Sequence, residues 1–137
     1  MSHAAFLTAV GNVCARAVGA HAGHPFPLSG FDPDRHNPDQ LPTAGNYFAR
    51  YGGLPQTMTA LRRLGPPASD AAAWRRQLTV ADQIRDNAQR QIAAARLRDV
   101  AAFVLTVRTA QRLTDELNSN GARFGFTSDS PCGQVFG

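Results

Sequence analysis

The sequence predicts an all-α fold: a four-helix bundle with one long crossover loop and a disulfide-tethered C-terminal tail. Three observations carry this prediction. Apolar residues recur at three- and four-residue spacings in four separate stretches. No stretch alternates apolar and polar residues as a strand would. The only two cysteines, Cys14 and Cys132, stand near opposite ends of a 137-residue chain. Such a chain is expected to form one domain, residues 1–137, burying roughly 68% of the surface its unfolded form exposes.

The first helix is predicted over residues 4–21, where Leu7, Val10, Cys14, Val18 and His21 share a face widened by Phe6, Val13 and Ala17. Gly19 and Gly23 weaken it, and Pro25 and Pro27 forbid its continuation. From Ala22 to Gln40 the chain is dense in proline, glycine and aspartate, so it reads as the crossover; Phe26, Leu28 and Phe31 give it apolar side chains to lay across the bundle. The second helix is predicted over 41–64, with Pro42 tolerated in its first turn. Its stripe of Ala44, Phe48, Tyr51, Leu54, Met58 and Leu61 stays in phase across Pro55, which predicts a bend near 52–55.

Gly65-Pro66-Pro67 ends that element. Ser69 or Asp70 can cap a third helix over 69–97, whose stripe runs from Trp74 through Leu78, Ala81, Ile84, Ala88 and Ile92 to Ala95. Asp99 can cap the fourth, over 99–124, after so short a loop that the last two helices form an antiparallel hairpin. Val100, Phe103, Val104, Val107, Ala110, Thr114 and Leu117 continue the pattern. That helix ends either at Gly121 or, in the preferred reading, at Phe124, with Gly125 left-handed and Phe126 folding back.

Hydrophobic residues make up 43% of the chain, which excludes wholesale disorder. Its formal charge of +4 comes entirely from arginine, and there is no lysine. Abundant alanine and only two isoleucines, Ile84 and Ile92, match the codon bias of a GC-rich genome, so the basicity has two readings: codon bias, the favoured one, or an anionic partner. No apolar run approaches the roughly 20 residues that span a bilayer. The first residues lack the basic start of a signal peptide, and Asn12-Val13 before Cys14 make a poor lipobox. Either the chain is cytosolic or an export signal, with or without a lipid anchor, belonged to a precursor. The cysteines favour export. A tail from Thr127 onward would fray alone, and a Cys14–Cys132 bridge would clamp it to the first helix. Disulfides persist in oxidising compartments. The alternative is two unrelated buried thiols.

The layout resembles small exported or lipoprotein-type helical proteins of high-GC Gram-positive bacteria. The resemblance rests on "FLTAVGNVCARA" with its first-helix cysteine, "LRRLGPPASDAAAW" as a Leu-x-x-Leu-x-Pro-Pro turn followed by Trp, and the terminal "GARFGFTSDSPCG". Here "GFTSDSPC" spaces Gly and Cys more widely than the short form of that segment. The resemblance implies an extracytoplasmic bundle with the same bridge, and it implies no activity.

Catalytic and cofactor patterns are absent. The single glutamate, Glu116, excludes a di-iron bundle, and there is no Cys-x-x-Cys-His for haem. Gly-x-Ser-x-Gly, P-loop and dinucleotide-binding patterns are missing too. His21, His24 and His36 could present three imidazoles, but without the tight ligand spacing of a zinc site. No metal and no cofactor is expected. Asp82, Asp86, Asp115 and Glu116 read as ion-pair partners of nearby arginines rather than as an acid–base pair. Eight arginines between Arg62 and Arg98 read as a solvated bundle face, not a nucleic-acid surface, because the aromatic residues occupy core positions.

The sequence therefore reads as a non-enzymatic extracytoplasmic domain, a binding or structural unit at the cell surface, with a homo-oligomer or a surface protein as partner. The alternative is a small-ligand or metal-binding protein using the 22–40 loop against the bundle. Contact residues for either are His24, Phe26, Phe31, Arg35 and His36 in the loop and Tyr47 and Tyr51 beside the bend.

Overall fold

Amphipathic stripes drive the assembly, and each helix starts where its capping chemistry allows. The computed structural model describes residues 1–32 and 37–137. Among them the elements are α1 (His3–His21), α2 (Leu41–Tyr51), α3 (Leu54–Arg63), α4 (Ala71–Arg96), α5 (Val100–Gly121) and α6 (Pro131–Phe136). Short 3-10 turns cover Pro38–Gln40 and Ala122–Phe124, and no strand is present among the described residues. α1, the α2–α3 pair, α4 and α5 form the four units of the bundle. The crossover links α1 to α2, and a disulfide links α6 to α1.

The Ser2 hydroxyl caps α1 by accepting from the Ala5 amide at 3.1 Å. Asp99 caps α5 in the same way, through the Ala102 amide at 3.1 Å. Asp70 is the N-cap residue of α4, but its carboxylate makes no cap bond and pairs with Arg123 at 3.3 Å. α4 ends in a Schellman motif: the Arg98 amide donates to Ala95 O and the Asp99 amide to Ala94 O. The left-handed position of that motif, usually glycine, is held by Arg98 with φ 54°.

Two predicted elements differ. The single bent helix over 41–64 is two helices, because Gly53 adopts φ 64° and stops the ladder. Pro55 then falls in the first turn of α3, where its missing N–H has no partner to lose. The tail is not irregular: Ser130 caps α6 by accepting from the Gly133 amide at 3.2 Å, and Pro131 occupies the first helical position. At the end of α5 the chain continues as a 3-10 turn through Phe124, Gly125 is left-handed at φ 76°, and Phe126 folds back into the core. There Gly121 leaves room that a Cβ would take from Phe126 and the Gln77 amide.

α4 is the hub, packing on α5, α2 and α3, while α1 packs mainly on α6 and α3. Gly45 lets α2 lie close on α4; a Cβ there would meet Ala95 Cβ at 2.9 Å. Buried side-chain amides join the α4–α5 hairpin: Gln77 donates to Leu117 O at 3.0 Å and Asn87 to Thr106 O at 2.8 Å. The core has two parts. One gathers Phe6, Val10 and Cys14 of α1 with Met58, Leu61, Trp74, Leu117, Phe124, Phe126 and Phe136. Trp74 centres it, 4.9 Å from the Phe6 ring and 5.4 Å from Phe124, both edge-on. The other lies at the far end of α4, around Leu41, Ala94, Ala95 and Phe103.

Cys14 and Cys132 are bonded, with their Cα atoms 4.9 Å apart and both side chains fully buried. Replacing both by serine is expected to lower the unfolding free energy by about 2–5 kcal/mol; an unchanged guanidinium midpoint for the double variant would remove the bridge from the account. Arg98→Gly is expected to raise stability by about 0.5–1 kcal/mol, since left-handed φ costs a side-chain-bearing residue about 1 kcal/mol. The exposed Arg98–Asp39 pair it gives up, at 3.2 Å, offsets little of that. Thermal unfolding reads the sign.

Candidate ligand-binding cleft

The crossover is pinned by aromatic rings. Phe26 stacks on Phe48 at 5.5 Å and meets Tyr47 and Phe31 edge-on at 5.2 and 5.5 Å. Phe31 reaches on to Phe103 of the second core at 6.1 Å. The His24 imidazole stacks on Tyr51 at 4.2 Å, and the Tyr47 hydroxyl donates to the His24 carbonyl oxygen at 2.5 Å. Five residues expected to contact a ligand or partner are thus brought together, but Phe26 is engaged in fastening the loop to α2 and Phe31 in fastening it to Phe103 of α5. Arg35 and His36 lie outside the described residues.

Tyr47 and Tyr51 also belong to something larger. A cleft of about 960 Å³ runs between the last turns of α1, the α2–α3 junction, the middle of α4 and the end of α6. Its position follows from the divided core. The first cluster stops at Ile84 and the second begins at Ala94, and the intervening turns of α4 carry Asn87, Ala88, Gln91 and Ile92 into the gap. Opposite them, α1 presents Val13, Ala17 and Val18. Ala110 of α5 and Val135 and Phe136 of α6 complete the lining. Small side chains on facing helices leave the space unfilled: Ala17, Ala88 and Ala110 are each only half-buried. Ala88, Ile92 and Ala110 were expected in the core stripes; they line the cleft instead.

The charged side chains that line the cleft have one sign among the described residues: Arg16, Arg50 and Arg96 do so, and no described Asp or Glu does. The Arg50 guanidinium lies 5.5 Å from the Tyr51 ring centroid, and Arg96 Nε donates to Asn46 Oδ1 at 3.1 Å. The ion pairs among the described residues lie elsewhere: Asp82 with Arg62 and Arg85, Asp86 with Arg85, Asp39 with Arg98, and Asp70 with Arg123. Asp82 and Asp86 therefore serve as salt-bridge partners. His21 reaches the cleft, whereas the His24 ring is held against Tyr51; no group of three metal-ligating side chains converges among the described residues. No described helix is long and apolar enough to cross a membrane.

Sequence reasoning found Tyr47 and Tyr51 but not Arg16, Arg50, Arg96 or Asn87. A signal was present, since Arg16 sits two residues beyond Cys14 on a helix whose apolar face includes Ala17. No protein-family model matches the chain, and comparison with curated proteins and with solved structures finds no match.

Tyr47→Phe removes the hydroxyl that holds the loop while keeping the rings. It is expected to cost about 1 kcal/mol and to speed amide hydrogen exchange in residues 22–32. Exchange there at the parental rate would mean that the rings alone hold the crossover.

Proposed function

We propose that this protein is a non-enzymatic helical domain of an oxidising, extracytoplasmic compartment that binds an apolar small molecule in the cleft between α1, the α2–α3 junction, α4 and α6. The cleft itself carries the reading. Protein interiors pack about as densely as organic crystals, and larger residues at Ala17, Ala88 and Ala110 would close this space and bury more apolar surface. Leaving it open costs stability, and that cost has a use if a ligand fills it. Its volume, about 960 Å³, lies at the upper end of the 300–1,000 Å³ typical of small-molecule sites; it is open to solvent, and its lining mixes apolar side chains with polar ones from α1, α2, α3, α4 and α6.

The buried Cys14–Cys132 bridge supports the compartment, because cytosolic thiols are kept reduced. The resemblance to small exported or lipoprotein-type helical proteins of high-GC Gram-positive bacteria supports the same reading. Assembly through a copy of the chain or a surface protein has less behind it: apart from Met1, the large exposed apolar residues are Leu97 and Leu105, and scattered single side chains of this kind are ordinary on monomers.

Uptake of Nile red tests the reading. Its emission is expected to rise and shift blue with the parent protein, and to stay at the buffer value with Ala88→Phe, which fills the cleft from α4. Stability of that variant should remain within about 1 kcal/mol of the parent. Parental protein that leaves the dye's emission unchanged would refute a binding cleft.

A further inference from the structure

Building on the cleft as a ligand site, we infer that its ligand is a single-chain amphiphile with an acidic head group, a carboxylate or a chemically equivalent anion on an apolar tail. The three arginines come from three elements, Arg16 from α1, Arg50 from α2 and Arg96 from α4, and all line one cleft that holds no acidic side chain among the described residues. None of these three has an ion-pair partner among the described residues, which is equally true of Arg63, Arg75, Arg76, Arg90, Arg108 and Arg112; what sets the three apart is that they line one cleft.

Helix dipoles account for part of the pattern, since Arg50 and Arg96 lie in the last turns of α2 and α4, where a cation is favoured. They do not account for Arg16, which stands well inside α1. Arg16, Arg50 and Arg96 are exposed residues of the lining, while Ile84 and Phe136 in the same lining are buried. A ligand matching both parts needs negative charge at one end and hydrocarbon at the other. A neutral hydrocarbon would leave the arginines unmatched, and a cationic amphiphile would be repelled by them. Guanidinium is also the side chain best shaped for a carboxylate, offering two parallel donors.

Displacement of Nile red by three ligands of equal chain length, decanoate, decanol and decylammonium, tests this below their micelle-forming concentrations. Decanoate is expected to displace the dye about tenfold more tightly than decanol, three exposed ion pairs each giving a small gain, with decylammonium weakest. The preference should shrink as salt rises. The triple variant Arg16→Ala, Arg50→Ala, Arg96→Ala should bring the decanoate-to-decanol ratio to about one, and the triple Arg→Lys variant should retain most of it. Equal displacement by all three ligands overturns the acidic head group while leaving an apolar cleft in place. Failure of Nile red itself to bind sinks the cleft instead. Sedimentation with phosphatidylcholine–phosphatidylglycerol vesicles, without displacement by free decanoate, would overturn the inference in favour of an anionic membrane surface.

Discussion

One covalent bond settles where the last residues of this chain go, and much of the first core depends on it. Cys132 is the second residue of α6, a helix of six residues that has no independent stability in water. Its bond to Cys14 spans 118 positions of sequence and sets α6 against α1. From there Phe136 reaches the core beside Phe126, 5.8 Å away, and the Thr114 hydroxyl donates to Phe136 O at 3.0 Å, joining α6 to α5 as well. Gly133 permits the tight turn that leads into α6: a Cβ there would strike the Thr127 carbonyl and lie 2.7 Å from Ser128 Cα. The bridge, the glycine and the Ser130 cap are therefore one device, and the fold of residues 127–137 follows from their agreement.

Packing on α4 explains why the interior is divided. At one end Trp74 and its ring neighbours supply bulk; at the other Leu41 and Phe103 do. Between them the helix carries Asn87, Ala88 and Gln91, two amides and an alanine. Asn87 keeps α4 and α5 together by donating to a main-chain carbonyl, so polarity at that level joins the hairpin without filling the space beside α1. α1 reaches past its own buried residues, Phe6 to Cys14, and its last turns face the opening.

The helices were legible because each depends on periodicity and capping, both local properties. Ser2 was not recognised as a cap, yet α1 begins one residue from its expected start. The bridge was legible because two cysteines admit one pairing. What escaped notice is instructive. The stripe containing Ala88 and Ile92 has a helical period whether it meets a neighbour or an opening, so periodicity cannot separate core from cleft. Pro55 looked like a kink because the stripe stays in phase; the deciding fact is the backbone of Gly53, which a stripe does not reveal. Ser130-Pro131 carries a plain helix-start signal, but the segment is too short for an apolar period to accompany it. Of the site, Tyr47 and Tyr51 were visible as aromatics beside a break, whereas the arginines became significant only once three separate helices placed them on one lining.

Val135 and Phe136 have a further consequence through their position at the cleft. The helix that bears them is a wall of the opening and also the far side of the sulfur–sulfur bond. Electrons delivered to that bond would remove the wall's covalent anchor and leave it held by the packing of Phe136 and the Thr114 hydrogen bond alone.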